Sequence, residues 1–600
     1  MKRSLSYPHL ILSTLGALVF VLGGLLANTT FVQAHPLASS GTIDMAFAQA
    51  SREFQVPQPL LESICYMEGR LSEHSGSPSI DGGYGCMHLV KNRRVDTLDQ
   101  AAKLLHVNVR QLKINIATNI RGGAAILRQD ALRINNHHLP TKLSGWYSTV
   151  EVYSDASTPY VAAMYANGVY TIMNRGFRAA DDAREPVMLA PQHVTPDKSM
   201  GNKATPAATM PQGCSNDGQT DYPGAVDCIL PANSFDCSQV KNSSCTYKSA
   251  NRPNDDAINF VGIHDIEGTA QDALNTFQNV SGGDSIHYIV DSDGTIYQVL
   301  HEKDIAYHLG NLWYNDHSIG IEHAGYAATG YQWYNATEYL ASAKLVAYLL
   351  GKYHIPLDHE HIVGHGTVPA PTPVSAPNHV DPGPYWLWDY YLNLIKQQGV
   401  SAVSQATSQA SQAHTVVLHP TTDQQLNSAD GTETTANFNF FNLYTGPSTS
   451  SSLVPSGSNG TDVTDETYNV EPDISYYYVT KRSDTAGSGD TMYEIYYGEA
   501  DQLGRNPKSE FTNGKLAWLA VPPGYATTGR GTLVTLGLKN SRVAKVYGRP
   551  TSSKSDVIGD TPNNSRYVSG LTLTEDGTNN RWYEINYNHR QAWVPASEVR

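Results

Sequence analysis

The alternation of hydrophobic and polar positions changes character several times along the chain. Apolar residues follow a helical period in the first third, strands alternate with helices in the middle, and short strands fill the tail. Two intervening stretches, rich in Pro, Ser, Thr, Gln and Ala, have no sustained apolar period. The pattern predicts a multidomain protein with a helical domain at 41–178, a linker at 179–221, an α/β domain at 222–398, a second linker at 399–436, and two small β-barrels at 437–524 and 531–600.

The tail contains a degenerate internal repeat. The segment NLYTGPS, which begins at Asn442, is similar to KVYGRPT, which begins at Lys545. Each copy continues with Tyr-Glu-Ile and then Ala-Trp, at Tyr493 and Ala517 in the first copy and at Tyr583 and Ala592 in the second. Two copies of one β unit are therefore expected, the first with longer insertions.

In the middle region, polar residues follow the ends of predicted strands. The strands at 258–263, 318–321 and 362–364 deliver His264, Glu322 and His365, respectively. A hairpin signal lies around Asp291 to Gly294, and a helix with an apolar face is predicted from Ala336 to Tyr353. Because strand ends are where side chains converge in pockets, we expect a mixed sheet flanked by helices with a site at one edge. A Pro-rich loop after His365 adds His379 and Asp381.

The charge composition of the chain restricts the kinds of partner that it can bind. The formal net charge is −15, with 56 acidic and 41 basic side chains. Binding to nucleic acid needs clustered Lys and Arg, so nucleic acid is not expected as a partner.

The six cysteines, an even number, suit an oxidising compartment. Cys65 and Cys86 lie in the helical region, and Cys214, Cys228, Cys237 and Cys245 cluster before the α/β pattern. The cluster lacks the Cys-x-x-Cys spacing of a structural zinc site, which favours disulfides. The sequence leaves the pairing of the four clustered cysteines open.

The first residues are typical of an export signal. Lys2 and Arg3 precede an apolar run from Leu10 to Ala27, and Val32-Gln33-Ala34 offers small residues for cleavage. The prediction is a signal peptide at 1–34 and a secreted or wall-associated protein. An uncleaved membrane anchor is the alternative, and it also places the remainder outside the cytoplasm.

Several separated motifs of the middle region resemble, in order, the Amidase_2 family of zinc-dependent N-acetylmuramoyl-L-alanine amidases, which includes the peptidoglycan recognition proteins. They are VGIHDIEGT, SIHYIVDSDGTIYQ, AYHLGN, SIGIEHAG and GHGTVPAPTPVSAPNHVDPGP. The resemblance implies that Zn²⁺ is held by His264, His365 and Asp381. It also implies that Glu322 is the catalytic carboxylate and that His379 stabilises the developing oxyanion.

Two His and one carboxylate leave a tetrahedral zinc with a free position for water, which suits hydrolysis. A carboxylate such as Glu322 can then move a proton from the water to the leaving amine. Residues near the predicted site are expected to line the groove for the glycan strand or stem peptide of peptidoglycan: Tyr307, His308, Asn311, Trp313 and Asn315.

The helical region resembles lysozyme-like lytic transglycosylases. VPQPLLESICYMEGR, GGYGCMHL and NIRGGAAIL correspond in order to a catalytic-glutamate helix, a Gly-Met turn and an Asn-Ile helix. Glu68 matches the catalytic position, followed by Gly69 where the family commonly has serine. A single carboxylic acid can protonate a glycosidic oxygen. The alternatives are a glycan-binding relic of that fold and an unrelated helical domain.

The tail repeat resembles bacterial Src-homology-3-like modules, which hold many wall hydrolases on peptidoglycan. The alternative is that the two barrels serve only as a spacer. Together these expectations describe an exported zinc amidase that cuts between N-acetylmuramic acid and L-alanine. Two rivals remain: a non-catalytic peptidoglycan-recognition protein, and a wall hydrolase whose main activity is glycan cleavage through Glu68.

Overall fold

The computed structural model describes residues 42–600 with gaps. The gaps are 80–81, 93–94, 157–158, 184, 199–209, 216–217, 241–243, 329–334, 371–378, 401–412, 420–440, 455–463, 465–469, 499–514, 538–542 and 588. The predicted signal peptide at 1–34 and most of the predicted linker at 399–436 lie outside the described residues. Among the helices of the described part, none has the length and apolar character needed to cross a membrane.

The first region is helical, as its periodicity predicts. Its helices are α1 Thr42–Phe54, α2 Gln58–Gly69, α3 Thr97–Leu105, α4 Val109–Ile114, α5 Ile116–Ile134, α6 Tyr147–Tyr153 and α7 Pro159–Arg175. Two hairpins accompany them, β1 Gly83–Tyr84 with β2 Leu89–Val90, and β3 Phe177–Ala180 with β4 Pro186–Leu189. The second hairpin falls within the start of the predicted linker at 179–221. Its alternate residues Val187 and Leu189 join the helical core, so ordered structure extends past the predicted boundary.

Asn119, on α5, holds the centre of the helical region together. Its Oδ1 accepts a hydrogen bond from the Met87 amide at 2.8 Å. Its Nδ2 donates to the Tyr84 carbonyl at 2.9 Å and the Leu112 carbonyl at 2.8 Å. Gly85 has a φ of +65°, and a Cβ there would meet the Asn119 side chain. The Asn-Ile and Gly-Met motifs of the sequence are therefore in direct contact.

The middle region is the mixed α/β domain that its pattern predicts. Its elements are β5 Val226–Asp227, α8 Ala232–Phe235, β6 Tyr247–Lys248, β7 Phe260–Asp265, α9 Ala270–Phe277, β8 Tyr288–Val290, β9 Ile296–Gln298, β10 Ile305–Ala306, α10 Leu312–Asp316, β11 Ser318–His323, α11 Ala336–Tyr353, β12 Ile362–Gly364 and α12 Trp388–Gln397. Six strands form one sheet in the order β12-β7-β11-β8-β9-β5. Strands β12, β7, β11 and β8 are parallel, and β9 runs antiparallel to β8.

Apolar side chains alternate between the two faces of this sheet. Tyr288 and Val290 pack with the apolar sides of α11 and α12, whereas Ile289 between them packs with α9 on the opposite face. Helices on both faces bury the parallel strands, which explains their nearly continuous hydrophobic sequence.

Three disulfides are present and confirm the disulfide prediction. Cys65–Cys86 joins α2 to the β1–β2 hairpin. The clustered cysteines, whose pairing the sequence left open, form Cys214–Cys228 and Cys237–Cys245.

The tail consists of two β units. The strands of the first are β13 Thr415–Leu418, β14 Leu443–Tyr444, β15 Ser475–Ser483, β16 Thr491–Gly498, β17 Lys515–Val521 and β18 Ala526–Thr527. Those of the second are β19 Thr532–Thr535, β20 Val543–Tyr547, β21 Val557–Pro562, β22 Arg566–Ser569, β23 Thr572–Thr574, β24 Arg581–Tyr587 and β25 Arg590–Pro595. The first unit begins with β13, inside the predicted linker at 399–436, because β13 pairs with β15 and buries its apolar residues.

The repeat has the same strand register in both units. Glu494 pairs with Trp518 in the first unit, and Glu584 pairs with Trp593 in the second. The tyrosine of each NLYTGPS-type segment also lies opposite the repeat tryptophan, Tyr444 in the first unit and Tyr547 in the second. The sequence repeat is therefore a structural repeat.

The second β unit docks on the middle domain through aromatic contacts. The Trp593 indole packs 5.6 Å from the Trp313 ring and donates a hydrogen bond to the Tyr314 hydroxyl at 2.9 Å. The same Tyr314 hydroxyl donates to Gln591 at 2.8 Å. This contact buries three large aromatic side chains and fixes the second unit against α10.

His419 joins the first β unit to the middle domain. Its Nδ1 lies 3.2 Å from an Asp389 oxygen on α12 and 2.9 Å from an Asp473 oxygen of the β unit. Its Nε2 lies 3.0 Å from the Thr527 hydroxyl. Hydrogen bonds to the two carboxylates raise the pKa of His419 to about 9, so the ring is an imidazolium at neutral pH.

This arrangement predicts a pH-dependent loss of stability on the alkaline side. A histidine whose folded-state pKa is raised stabilises the fold fully below its unfolded pKa of about 6.5, and the contribution is lost as pH rises through about 9. We expect the melting temperature of the wild-type chain to fall through this window relative to that of His419→Gln, with the two values converging above it. Thermal unfolding across this range measures the effect.

His138→Gln, which alters an exposed loop histidine, is the matched control and should melt like the wild type at every pH. A constant difference between wild type and His419→Gln across the window would refute the imidazolium assignment.

Candidate metal centre and active site

The strand order brings three of the predicted site residues to one edge of the sheet. Glu322 on β11 is the direct neighbour of His264 on β7 in the parallel register. Strand β12 lies on the other side of β7, and His365 follows its last residue, Gly364. The carboxyl ends of parallel strands meet at the same edge, where sites of α/β sheets form.

His264, His365 and Asp381 form a buried group in which one ligand-type atom of each lies within 4.8 Å of the others. The His264 Nδ1 is 3.0 Å from one Asp381 oxygen, and the His365 Nδ1 is 3.2 Å from the other. Two histidines with one carboxylate are the donor set of a catalytic metal ion with an open coordination position.

The two ring nitrogens of His264 face different partners. The His264 Nε2 lies 2.8 Å from the His308 Nδ1, and the His308 Nε2 lies 2.9 Å from the Ser318 hydroxyl. Burial lowers the pKa of His308 well below its ordinary value, so His308 is neutral. His308 therefore contacts the ring nitrogen of His264 that does not face Asp381.

The Nδ1 atoms of His264 and His365 both face the Asp381 carboxylate, so two imidazole nitrogens and one carboxylate converge in a buried place. The donor set therefore fits a metal ion.

Two further polar atoms at the site are buried without a hydrogen-bond partner among the described residues. They are the His365 Nε2 and the Glu322 Oε2. Burial, and then the negative charges of Asp381 and Asp265, raise the pKa of Glu322 well above its ordinary value. A carboxylate with such a raised proton affinity is suited to general base and acid chemistry.

His379 is at the mouth of the same group. Its Nδ1 makes a short hydrogen bond with Asp381, and its ring stacks on His365 with centroids 4.3 Å apart. Its side chain is 51% exposed, whereas that of Asp381 is 2% exposed, so His379 faces the solvent side. The hydrogen bond to Asp381 raises the pKa of His379.

The five residues predicted to line a substrate groove do not lie together along one groove. His308 lies behind His264 as its hydrogen-bond partner. The Asn315 Oδ1 accepts hydrogen bonds from the amides of His308 and Leu309 at 3.2 and 2.8 Å, so Asn315 shapes the loop that carries His308. Tyr307 is partly exposed.

Asn311 and Trp313 belong to the contact with the second β unit. The Asn311 Nδ2 donates to the Gly548 carbonyl at 3.0 Å, and the Trp313 indole donates to Asp576 at 3.2 Å. These two are docking residues and do not line an open groove. The role of His308 beside a candidate ligand could not be read from sequence, because 44 residues separate it from His264.

Glu68 lies in a separate and much smaller space. Its side chain is 3% exposed, and one carboxylate oxygen is 3.5 Å from the His88 Nδ1. The cavity beside it has a volume of about 40 Å³ and is closed by Ser292, Asp293 and Thr337 of the middle domain. The structure therefore does not bring Glu68 to the metal group or to an open cleft.

Solved structures of amidases are similar to part of this chain. A selenomethionine derivative of AmpD is 22% identical and matches 28% of this chain and 93% of its own, with a TM-score of 0.22. The N-acetylmuramyl-L-alanine amidase AmiD from E. coli, solved with the substrate anhydro-N-acetylmuramic acid-L-Ala-D-gamma-Glu-L-Lys, is 25% identical and matches 25% of this chain and 60% of its own, with a TM-score of 0.20.

Sequence comparison covers the whole candidate site. Residues 254–384 match the family model Amidase_2, N-acetylmuramoyl-L-alanine amidase. N-acetylmuramoyl-L-alanine amidase A from Achromobacter lyticus is 32% identical over 174 residues, which are 26% of this chain and 92% of that protein. Because 92% of that relative is matched at 32% identity, the chain belongs to the Amidase_2 family of N-acetylmuramoyl-L-alanine amidases, whose model spans His264, His365 and Asp381.

Proposed function

We propose that this protein is a zinc-dependent amidase that hydrolyses the bond between N-acetylmuramic acid and L-alanine in peptidoglycan. The observation that carries the proposal is the buried contact of His264 and His365 with Asp381, which places one ligand-type atom of each within 4.8 Å of the others. The substrate class is that of the family and of the Achromobacter lyticus amidase that this chain matches.

His264, His365 and Asp381 would hold the zinc ion. When bound, zinc supplies Lewis acidity to the amide carbonyl and lets water act as a nucleophile near neutral pH. Glu322 accepts a proton from the attacking water at Oε2, which has no other partner among the described residues, and delivers it to the leaving nitrogen of L-alanine. The raised pKa of Glu322 makes this carboxylate a stronger base than an exposed one.

His379 complements the charge that develops on the carbonyl oxygen. Its raised pKa keeps the ring protonated over a wider pH range, and its position on the solvent side of Asp381 suits contact with the substrate. His308 orients His264 from behind through the hydrogen bond between their ring nitrogens.

Export to the cell wall remains part of this proposal, supported by the N-terminal apolar run and by the three disulfides. We also propose that the helical region and the β units hold the amidase on peptidoglycan. A non-catalytic recognition protein would have no need for the complete donor set or for Glu322 beside it.

Substitution of the candidate metal carboxylate should abolish both metal binding and activity. Asp381→Asn keeps the shape and removes the charge that faces His264 and His365. We expect bound zinc to fall from about one ion per chain to a small fraction, and amide cleavage to fall by at least about a hundredfold. Equilibrium dialysis with zinc and the release of L-alanine amino termini from wall fragments measure the two effects.

The matched control is Asp389→Asn, because Asp389 belongs to the other His–Asp group, around His419. It should retain zinc and activity. Undiminished cleavage by Asp381→Asn would show that the proposed centre is not the active site.

Glu322→Gln should separate metal binding from catalysis. Since Glu322 is not in the ligand group, we expect zinc to be retained while the turnover rate falls by about a hundredfold to ten-thousandfold. The melting temperature should not decrease, because the change removes a buried carboxylate whose ionisation burial disfavours. Loss of zinc in this variant would assign Glu322 to the metal instead.

Glu68→Gln should leave the digestion products unchanged. A cavity of about 40 Å³ is far smaller than the several hundred Å³ of ordinary small-molecule sites, so glycan cleavage through Glu68 is not expected. Mass spectrometry of digested sacculi should show free L-alanine amino termini and no anhydro-sugar ends, with wild type and variant alike. Anhydro-sugar ends that disappear in Glu68→Gln would instead establish a second activity.

A further inference from the structure

A second cavity lies between the helical region and the middle domain, formed by α2, α7, α11 and α12. It has a volume of about 360 Å³, within the range of small-molecule sites. None of the residues of the candidate metal centre lines it. The cavity is therefore separate from the candidate metal centre.

The lining of this cavity is cationic. Arg70, Arg175 and Lys344 contribute to it, and none of its lining residues is acidic. A fourth cation, Lys198, donates a hydrogen bond to the lining residue Asn167 at 2.9 Å. This concentration of positive charge is notable in a chain with a net charge of −15. Such a field attracts anions of small size.

The ammonium group of Lys344 lacks a compensating charge in the part of the chain that the structure describes. It lies on the cavity side of α11, and among the described residues it has neither an ion pair nor a hydrogen bond. Burial, and then the nearby Lys198, lower its pKa to about 8. A partly buried ammonium without a partner is unfavourable, and an anion bound in the cavity would compensate it.

The Arg70 guanidinium is held in place by two aromatic rings. It lies 4.8 Å from the centre of the Tyr66 ring and 4.2 Å from that of Tyr390, one ring from each side of the cavity. Stacking on aromatic rings fixes this guanidinium, and therefore its positive charge, at the wall of the cavity.

The rest of the lining offers amide groups and an apolar floor. Asn167, Asn393 and Gln397 supply donors and acceptors around the opening. Met67, Leu340 and Leu394 supply apolar surface, and a Cβ on the neighbouring Gly168 would approach Leu340 to 2.8 Å. A ligand with charged ends and a short apolar middle fits these features better than a compact inorganic anion.

We infer that this cavity binds a small ligand that carries two carboxylates joined by a short apolar chain. Arg175 and Lys344 bind the carboxylates, the fixed charge of Arg70 adds to the positive field, and the Met and Leu side chains contact the apolar part. The inference does not depend on the proposed amidase function, because the two sites share no lining residue.

Isothermal titration of the full zinc-loaded chain with glutarate tests this inference. Glutarate should bind once per chain, whereas glutaramide, its uncharged isostere, should bind at least about tenfold more weakly. Arg175→Gln and Lys344→Gln should each weaken glutarate binding by about tenfold or more. Lys396→Gln removes an exposed charge of α12 outside the cavity and should leave binding unchanged. The same titration on Asp381→Asn should give the wild-type affinity, so failure of the metal proposal would not affect the result.

A second measurement uses the wild-type chain alone. With its lowered pKa, Lys344 should be acetylated faster than Lys396, and saturating glutarate should protect Lys344 only. Peptide mapping by mass spectrometry reads both rates.

Absence of saturable glutarate binding in the millimolar range would overturn the inference. Arg175 and Lys344 variants that bind glutarate as tightly as the wild type would overturn it too. Inorganic phosphate that binds as tightly as glutarate would also overturn it, by showing that charge alone is selected.

Discussion

The contact between His264 and Asp381 is the interaction on which the site depends. It brings a strand end and a loop residue 117 positions away to 3.0 Å, with both side chains buried. Much of the surrounding structure serves to hold it: β11 and β12 flank β7, and His308 contacts the other ring nitrogen of His264. The same contact brings together imidazole and carboxylate donors of the kind that a catalytic metal ion needs.

The parts that were predictable from sequence are those encoded by local pattern. The helix expected at 336–353 is α11 with the same bounds, because its apolar face faces the sheet and Asn335 caps its start. The strand ends carrying Glu322 and His365 were predictable for a similar reason, since buried parallel strands are nearly continuous hydrophobic runs. The repeat in the tail was also predictable, because its Tyr-Glu-Ile and Ala-Trp segments pair with each other in both units.

The parts that were not predictable arise from contacts between regions. Asn311 and Trp313 are residue types that are expected in a substrate groove, yet the second β unit covers them. Glu68 has a catalytic-type sequence context, and the β8–β9 hairpin of another domain closes the space beside it. The cationic cavity combines four helices from distant segments, each of which is an ordinary amphipathic helix by itself. No local pattern carries information about such neighbours.

The two β units share a fold, but equivalent positions in them have different neighbours. Trp518 and Trp593 occupy equivalent positions in the two β units, paired with Glu494 and Glu584. Trp593 packs against Trp313 and is buried in the contact with the middle domain, whereas the ring of Trp518 is covered by Arg482 at 4.8 Å. Since a surface that docks within the chain cannot also face a wall polymer, the two units cannot use this position for the same partner. The repeat therefore encodes a shared fold, and the second unit uses its tryptophan position for the contact with the middle domain.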